Sequence, residues 1–187
     1  ELRTPVALIK GYANTLMRDD VQWDVDTVKG SLGIIEDEAD RLTELIEDLL
    51  IASKIQAERH VKLISADVNL ILLAQSSIER LTTQTSRHNF SLSFTENFPI
   101  VSGDERLLRQ VIDNLVTNAI KYSPNGGTIT IGGRYNEETV TIFVRDEGTG
   151  IAETEQTHIF ERFYRVENTL TSKTSGTGLG LYLVKAI

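Results

Sequence analysis

Apolar residues in the first 16 positions of the chain recur at alternating steps of four and three. This spacing places them along one side of an α-helix, as in the seam of a coiled coil. Pro5 lies inside the pattern, where its ring and its missing N–H start or kink a helix. We therefore predict a first helix with one apolar stripe. The stripe consists of Leu2, Val6, Ile9, Ala13 and Leu16.

A second and longer seam begins after a charged stretch around Trp23. It keeps the same spacing, so a long second helix is predicted. Two such helices joined by a short loop form a hairpin, which needs a partner to bury both seams. We expect a second copy of the chain, giving a homodimeric four-helix bundle through residues 1–55; a hairpin packed on the rest of its own chain is the alternative. The second seam consists of Val28, Leu32, Ile35, Ala39, Leu42, Ile46, Leu49 and Ser53.

The remaining sequence predicts a second domain with mixed secondary structure. The composition turns polar from Gln56 to Lys62, which marks a boundary, and we divide the chain into residues 1–58 and 59–187. We predict an α+β fold class, in which the helical hairpin is followed by an α/β sandwich with antiparallel strands. The predicted elements are a helix at 67–82, a helix from Glu105 capped by Asp104, and strands around 90–94, 129–131 and 140–144, the last two joined by a turn at 136–138.

Composition narrows the classes of function. The 187 residues include no cysteine, which excludes a disulfide framework and a thiolate metal site and fits a reducing compartment. A formal net charge of −8 argues against nucleic acid as a partner, so an anionic ligand needs locally placed donors. No apolar run approaches the roughly 18 residues of a membrane span. The chain begins with Glu1 and ends at Ile187 inside an apolar helical pattern, so we expect it to be an internal piece of a longer protein.

The stretch 110–123, QVIDNLVTNAIKYS, carries an apolar and a polar side on one predicted helix. Asn114, Asn118, Lys121 and Tyr122 stand at offsets of 0, 4, 7 and 8, so they share the polar side. Two carboxamides, an ammonium group and a phenol ring suit a charged, flat ligand. A solvated polar face is the alternative.

Two glycine-bearing segments follow later in the chain. The segment 146–151, DEGTGI, comes directly after a predicted strand; its carboxylate suits an exocyclic amine, and its glycines let the backbone approach a ligand. The segment 176–181, GTGLGL, opens a predicted helix, where backbone N–H groups favour anions. It matches neither the dinucleotide fingerprint nor a Walker loop. A strand-exit turn and a flexible hinge are the respective alternatives.

The segment 160–165, FERFYR, lies between the two glycine segments. Its aromatic residues suit the anchor of a mobile lid, and Arg162 or Arg165 suits contact with phosphates. The alternative is a small satellite core that includes Phe160 and Phe163.

In this order the segments resemble the sensor histidine kinases of bacterial two-component systems. The stretch 113–123 matches the family's N box, and 146–151 matches its first glycine box. The stretch 160–165 matches the F box, and 176–181 matches the second glycine box. ELRTP at 1–5 matches the tail of the phosphoacceptor box. The resemblance covers almost the whole chain.

The resemblance implies a site for ATP and Mg²⁺ of the GHKL type in the second domain. It makes Asn118 the Mg²⁺ ligand, a hard oxygen for a hard cation. It places Asn114 and Lys121 at the phosphates, Tyr122 near the adenine, and Asp146 at the adenine amino group. The further nucleotide contacts that it implies are Gly148, Gly150, Ile151, Tyr164, Arg165, Gly176, Thr177, Gly178, Leu179 and Gly180.

For the hairpin, the resemblance implies that Glu1 assists proton removal from a phosphoacceptor histidine. In the family that histidine directly precedes the acidic residue, so here it is expected outside the chain. His60, His88 and His158 stand elsewhere in the pattern and do not replace it. Thr4 is implied to orient the water that dephosphorylates the partner, and Asn114 also takes part in catalysis.

The implied activity is transfer of the ATP γ-phosphate to the histidine and then to an aspartate on a response regulator receiver domain. The implied location is a cytoplasmic domain of a parent protein anchored in the bacterial inner or plasma membrane, with membrane contact only through segments outside this chain. Three alternatives stay open. They are a core that mainly dephosphorylates its regulator, an ATPase of the wider GHKL superfamily, and an interaction module without nucleotide.

Overall fold

The computed structural model describes residues 2–57, 64–166 and 176–187. The chain divides into two compact units, Glu1–Lys54 and Ile55–Ile187. The predicted boundary after residue 58 lies outside the described residues and stays a prediction.

The first unit is built on two helices, as predicted. They are α1 (Arg3–Leu16) and α2 (Val25–Ala57), and Pro5 is buried in the first turn of α1. Asp24 caps α2 because its carboxylate accepts hydrogen bonds from the hydroxyl of Thr27 at 2.6 Å and the backbone N–H of Thr27 at 2.9 Å. Several seam residues, Leu32 and Ile46 among them, are exposed in the single chain.

The second unit places helices on a three-stranded sheet. Its elements are β1 (Ala66–Val68), α3 (Leu70–Thr82), β2 (His88–Phe94), β3 (Val101–Gly103), α4 (Glu105–Tyr122), β4 (Gly127–Tyr135), β5 (Val140–Arg145) and α5 (Gly180–Ala186). The sheet has the order β2-β4-β5, and β1 pairs separately with β3. The α+β class is therefore confirmed. The main core of this unit consists of Val68, Leu70, Leu73, Ala74, Leu81, Ile112, Val116 and Ile131.

The prediction of antiparallel strands was wrong for one pair. β4 and β5 are antiparallel, as the short connection between them requires, but β2 and β4 are parallel. The chain passes through β3 and α4 between β2 and β4, and a crossover of that length returns a strand in the same direction. Side chains alternate between the two faces in either kind of pairing, so the pattern alone does not distinguish them.

The predicted start of the third helix was also wrong. Asp67 belongs to β1, and α3 begins at Leu70. Asn69 sets this start because its side-chain oxygen accepts hydrogen bonds from the backbone N–H groups of Ile71 and Leu72, two of the donors that the first turn of a helix leaves unpaired.

The cap and the turn that flank the sheet were predicted correctly. Asp104 caps α4 by accepting from the backbone N–H groups of Arg106 and Leu107. The Asn136 side chain accepts from the backbone N–H groups of Glu138 and Thr139, which closes the turn between β4 and β5. No helix in the described ranges combines the length and the apolar content that a membrane span needs.

Candidate functional site

α4 separates a core face from a site face. Leu107, Ile112, Val116 and Ala119 are its buried residues. The four polar residues from Asn114 to Tyr122 lie on the same uninterrupted helix, so their spacing keeps them on one side of it. Tyr122 is the last residue of α4 and is exposed. The apolar face therefore fixes the direction in which the polar face points.

Asn114 meets the start of α5 at Gly180. A Cβ at position 180 would lie 3.3 Å from the Asn114 side-chain oxygen, so glycine permits this approach. The Asn114 side-chain nitrogen is buried and has no hydrogen-bond partner among the described residues. Leaving a buried donor unpaired costs about 1–3 kcal/mol. Such a donor suits an acceptor atom supplied by a ligand.

Asp146 follows β5, and its two carboxylate oxygens differ in their hydrogen bonds. Its Oδ1 accepts from the backbone N–H of Gly148 at 2.8 Å and from the Ser123 hydroxyl at 3.4 Å. Among the described residues, no hydrogen bond reaches Oδ2. The side chain is exposed, so Oδ2 is free to accept from a ligand.

The loop after Asp146 docks on the end of α4. The backbone N–H of Thr149 donates to the Tyr122 carbonyl at 3.1 Å. A Cβ at Gly148 would lie 2.4 Å from that same carbonyl and 2.6 Å from Asp146 Oδ1. Only glycine fits this space, so the loop and the helix end are held in one arrangement. Gly150 has φ +69° and an open position where a Cβ would stand, while the neighbouring Ile151 is exposed.

The segment 160–165 docks on the second glycine segment through its backbone. The backbone N–H of Phe163 donates to the Gly178 carbonyl at 3.0 Å, and a Cβ at Gly178 would lie 2.7 Å from the Phe163 carbonyl carbon. Both residues have positive φ. The Phe163 side chain is 45% exposed, so the satellite-core alternative is wrong for this residue, whereas Phe160 is half-buried.

The second glycine segment also has a local cap and a buried anchor. The hydroxyl of Thr177 accepts from the backbone N–H of Leu179 at 3.2 Å. Leu179 is 1% exposed, so it anchors the segment in the interior. Gly176 is half-buried.

Arg162 is directed at α5. Its guanidinium donates to the Tyr182 hydroxyl at 2.8 Å and lies 4.6 Å from the centroid of that ring. Tyr164 donates its hydroxyl to Glu155, and its ring lies 5.5 Å from the ring of His158. Of the two arginines considered for phosphate contact, Arg162 is thus engaged with Tyr182.

The hairpin candidates belong to the other unit. Thr4 lies in the first turn of α1 and is exposed. Glu1 and His60 lie outside the described residues. The structure therefore brings together the candidates on α4, at 146–150 and at 176–180, but assigns no geometry to the pair formed by Glu1 and Thr4.

Sequence reasoning missed a polar network behind Asp146. His88, the first residue of β2, lies 2.9 Å from the Ser123 carbonyl through its Nε2 atom, and its Nδ1 atom lies 2.7 Å from the Thr85 hydroxyl. Ser123 is 2% exposed. The sequence indicates Ser123, because it is the last residue of the polar stretch 110–123. It does not indicate His88, because the Ser123 carbonyl that His88 contacts is 35 residues away.

Comparisons with known proteins agree with this arrangement. Residues 1–58 match the model of the His Kinase A (phospho-acceptor) domain. Residues 103–187 match the model of the histidine kinase-, DNA gyrase B-, and HSP90-like ATPases. The sensor-like histidine kinase SenX3 of Mycolicibacterium smegmatis is 38% identical over 191 residues, covering 100% of this chain and 48% of that relative. The chain thus spans about half the length of SenX3.

Two solved structures are also similar. The mycobacterial sensor histidine kinase MprB has a TM-score of 0.56 at 30% identity, covering 65% of this chain and 76% of that one. The Acinetobacter baumannii histidine kinase AdeS has a TM-score of 0.76 at 24% identity, covering 99% of this chain and 83% of that one. The second likeness concerns the fold alone.

Proposed function

The chain belongs to the sensor histidine kinases of bacterial two-component systems, and we propose that it is the kinase core of such a protein. It transfers the γ-phosphate of ATP to a histidine on the hairpin and then to an aspartate on a response regulator receiver domain. The observation that carries this proposal is the unpaired, buried Asn114 amide beside Gly180, at the junction of the N box and the second glycine box.

The base of ATP lies at the Asp146 end of the site. An adenine amino group is a donor, and Asp146 Oδ2 is an acceptor with no hydrogen bond from the described residues. Tyr122 stands at the end of α4 and offers an exposed ring beside it. Gly148, Gly150 and Ile151 let the loop lie close to the base.

The phosphates lie at the Asn114 end of the site. The Asn114 side-chain nitrogen donates to a phosphate oxygen, which satisfies the donor that the protein leaves unpaired. Lys121 adds a positive charge, and the segment 176–180 adds backbone N–H groups. Tyr164 and Arg165 approach from the lid.

Asn118 would hold Mg²⁺ through its side-chain oxygen. Mg²⁺ binds at such sites through one or two protein ligands together with substrate phosphates. It supplies neutralisation of the phosphate charge. The described residues contain no cluster of three or more His, Cys, Asp or Glu side chains suited to a metal, and a site completed by phosphates does not require one.

The hairpin provides the acceptor and the dimer. In the full protein we place the phosphoacceptor histidine directly before Glu1, which acts as its proton acceptor. Thr4, exposed in the first turn of α1, orients the water that dephosphorylates the regulator. The exposed seam residues pair with those of a second copy through residues 1–55. Residues 1–58 and 59–187 are then the acceptor and catalytic domains, and the parent protein is anchored in the membrane.

A phosphorylation assay tests this proposal. A protein extended at its N-terminus by the residues that precede Glu1 is incubated with labelled ATP and Mg²⁺. We expect an acid-labile phosphoprotein, because phosphohistidine hydrolyses in acid, and we expect the label to pass to a receiver domain. Intact ATP binding without labelling would overturn the kinase proposal and favour a core that mainly dephosphorylates its regulator.

A further inference from the structure

The end of α4 is held in place by His88, which lies outside the motifs that the family resemblance identifies, and by Ser123, the last residue of the N box. We propose that His88 and Ser123 are positioning residues for base selection: they fix the loop that carries Asp146 so that its Oδ2 atom meets the 6-amino group of adenine. This inference rests on the proposed function, because it presupposes that adenine lies at Asp146.

His88 contacts one of the carbonyl groups at the end of α4. The last carbonyls of a helix have no donors within the helix and need partners from elsewhere. The Tyr122 carbonyl accepts from Thr149 N–H at 3.1 Å, and the Ser123 carbonyl accepts from Gly126 N–H at 2.9 Å. His88 Nε2 lies 2.9 Å from the Ser123 carbonyl. A carbonyl oxygen only accepts, so Nε2 carries the hydrogen.

The His88 ring is held in one orientation by its contacts. The Thr85 hydroxyl lies 2.7 Å from Nδ1, so both ring nitrogens are bonded and the ring plane is fixed. His88 is also the first residue of β2, where it stands opposite Gly127 of β4. The sheet therefore determines the position of His88, and His88 determines the position of the Ser123 carbonyl.

Ser123 connects the end of α4 to Asp146. Ser123 is 2% exposed, and its hydroxyl donates to Asp146 Oδ1 at 3.4 Å. A Cβ at Gly148 would lie 2.9 Å from that hydroxyl oxygen and 2.6 Å from Oδ1. The hydroxyl, the carboxylate and the glycine thus pack at one point, and the two donors on Oδ1 set the rotation of the carboxylate.

This arrangement has a chemical consequence for the base. With Oδ1 occupied, Oδ2 is the oxygen that meets the purine. It accepts from the 6-amino group of adenine but opposes the 6-oxo group of hypoxanthine or guanine, which is itself an acceptor. A site built to bond a substrate donor rejects analogues that lack it. The discrimination weakens when the carboxylate is free to rotate.

Nucleotide binding to the 187-residue chain tests the inference. Affinities for ATP and inosine triphosphate are measured by calorimetry with Mg²⁺ for His88→Ala, His88→Gln and Ser123→Ala. We expect His88→Ala and Ser123→Ala to weaken ATP binding by about 3- to 10-fold, the scale of one modest hydrogen bond. We expect binding of inosine triphosphate to stay unchanged. His88→Gln retains a donor and should restore most of the preference for ATP.

Ser91→Ala is the matched control. Ser91 lies on the same strand as His88, and its hydroxyl pairs with the Thr130 hydroxyl at 2.9 Å, a pair that includes neither Ser123 nor Asp146. It should leave the ratio of the two affinities at the wild-type value. Circular dichroism confirms that each variant is folded, and Ser123→Ala provides the test if His88→Ala is not.

The possible outcomes separate the two proposals. If the wild-type protein binds ATP and the variants keep its ratio of affinities for ATP and inosine triphosphate, the role of His88 and Ser123 is overturned. The kinase proposal stays intact in that case. Equal weakening of both nucleotides would also overturn it, because that result indicates support of the fold alone. A wild-type protein that binds neither nucleotide would contradict the proposed function itself.

Discussion

The two units of the chain differ in how far their apolar residues are buried. In the nucleotide unit, Val116 and Ile131 are 0% exposed, so the core is complete within one chain. In the hairpin unit, the seam residues Leu32 and Ile46 are 52% and 46% exposed. Burial of apolar surface is the main favourable term in folding. The nucleotide unit therefore has a core of its own, whereas the hairpin leaves apolar surface that the proposed second copy would cover.

Ile131→Ala tests the self-contained core and should have the largest effect. Ile131 is fully buried on β4, and truncation of such a side chain leaves a cavity that costs about 2–5 kcal/mol. We expect the free energy of unfolding of the nucleotide unit to fall by that amount, independently of protein concentration, in urea titrations. Leu92 stands opposite Ile131 in the sheet and is 38% exposed, so Leu92→Ala is the control and should cost less.

Leu32→Glu tests the dependence of the hairpin on a partner. Two copies of this change place two charges in the proposed seam and remove two leucines, each of which contributes about 1.5–3 kcal/mol when buried. We expect dimers to dissociate into monomers in analytical ultracentrifugation. Leu72 on α3 is also exposed, and Leu72→Glu should leave the mass unchanged. Dissociation by both variants, or by neither, would contradict the proposed interface.

Asp146→Asn tests whether ligand binding belongs to the nucleotide unit alone. The amide presents a donor or a neutral acceptor in place of the charged oxygen. Loss of a hydrogen bond to a charged group costs about 1.5–3 kcal/mol, roughly 10- to 100-fold in affinity. We expect ATP binding to weaken by that factor while the oligomeric mass stays the same. The neighbouring Glu147→Gln is the control, and an equal loss in this variant would indicate a general effect of charge.

Local patterns in the sequence predicted the helices and the segments that the structure brings together at the candidate site. The seam spacing predicted α1 and α2, and Asp104 and Asn136 predicted a cap and a turn, because each acts over a few residues. The parallel pairing of β2 with β4 and the role of His88 were not predictable in this way. Both depend on contacts between residues about 35 or more positions apart, which a periodic pattern does not encode.

The start of α3 shows the same limit on a smaller scale. Asp67 and Asn69 are both residues that cap helices, and both precede an apolar periodic stretch. Pairing of Asp67 with Ser102 of β3 decides between them. The sequence presents two adequate local signals, and a strand partner selects one.

Asp24→Asn tests the hairpin at its most local level and should have the smallest effect. Hydrogen bonds from the Thr27 side chain and backbone hold the pKa of Asp24 below its ordinary value of 3.8. Because the pKa is lowered in the folded state, the stabilisation is complete above the ordinary value and is lost as the pH falls through the folded one. The pKa of Asp20 is also lowered, by its hydrogen bonds from Arg18, so the wild-type titration alone does not isolate the cap.

Comparison of the thermal unfolding of the wild-type protein with that of Asp24→Asn, as a function of pH, isolates the contribution of the cap. Asparagine caps a helix about as well as aspartate but does not titrate. We expect a small advantage of the wild-type protein in melting temperature near about pH 6, which declines as the pH falls below 3.8 and through the lower folded pKa of Asp24. A difference that stays constant with pH would show that the charge on Asp24 does not contribute. The start of α2 would then depend on cap hydrogen bonds that an uncharged side chain also forms.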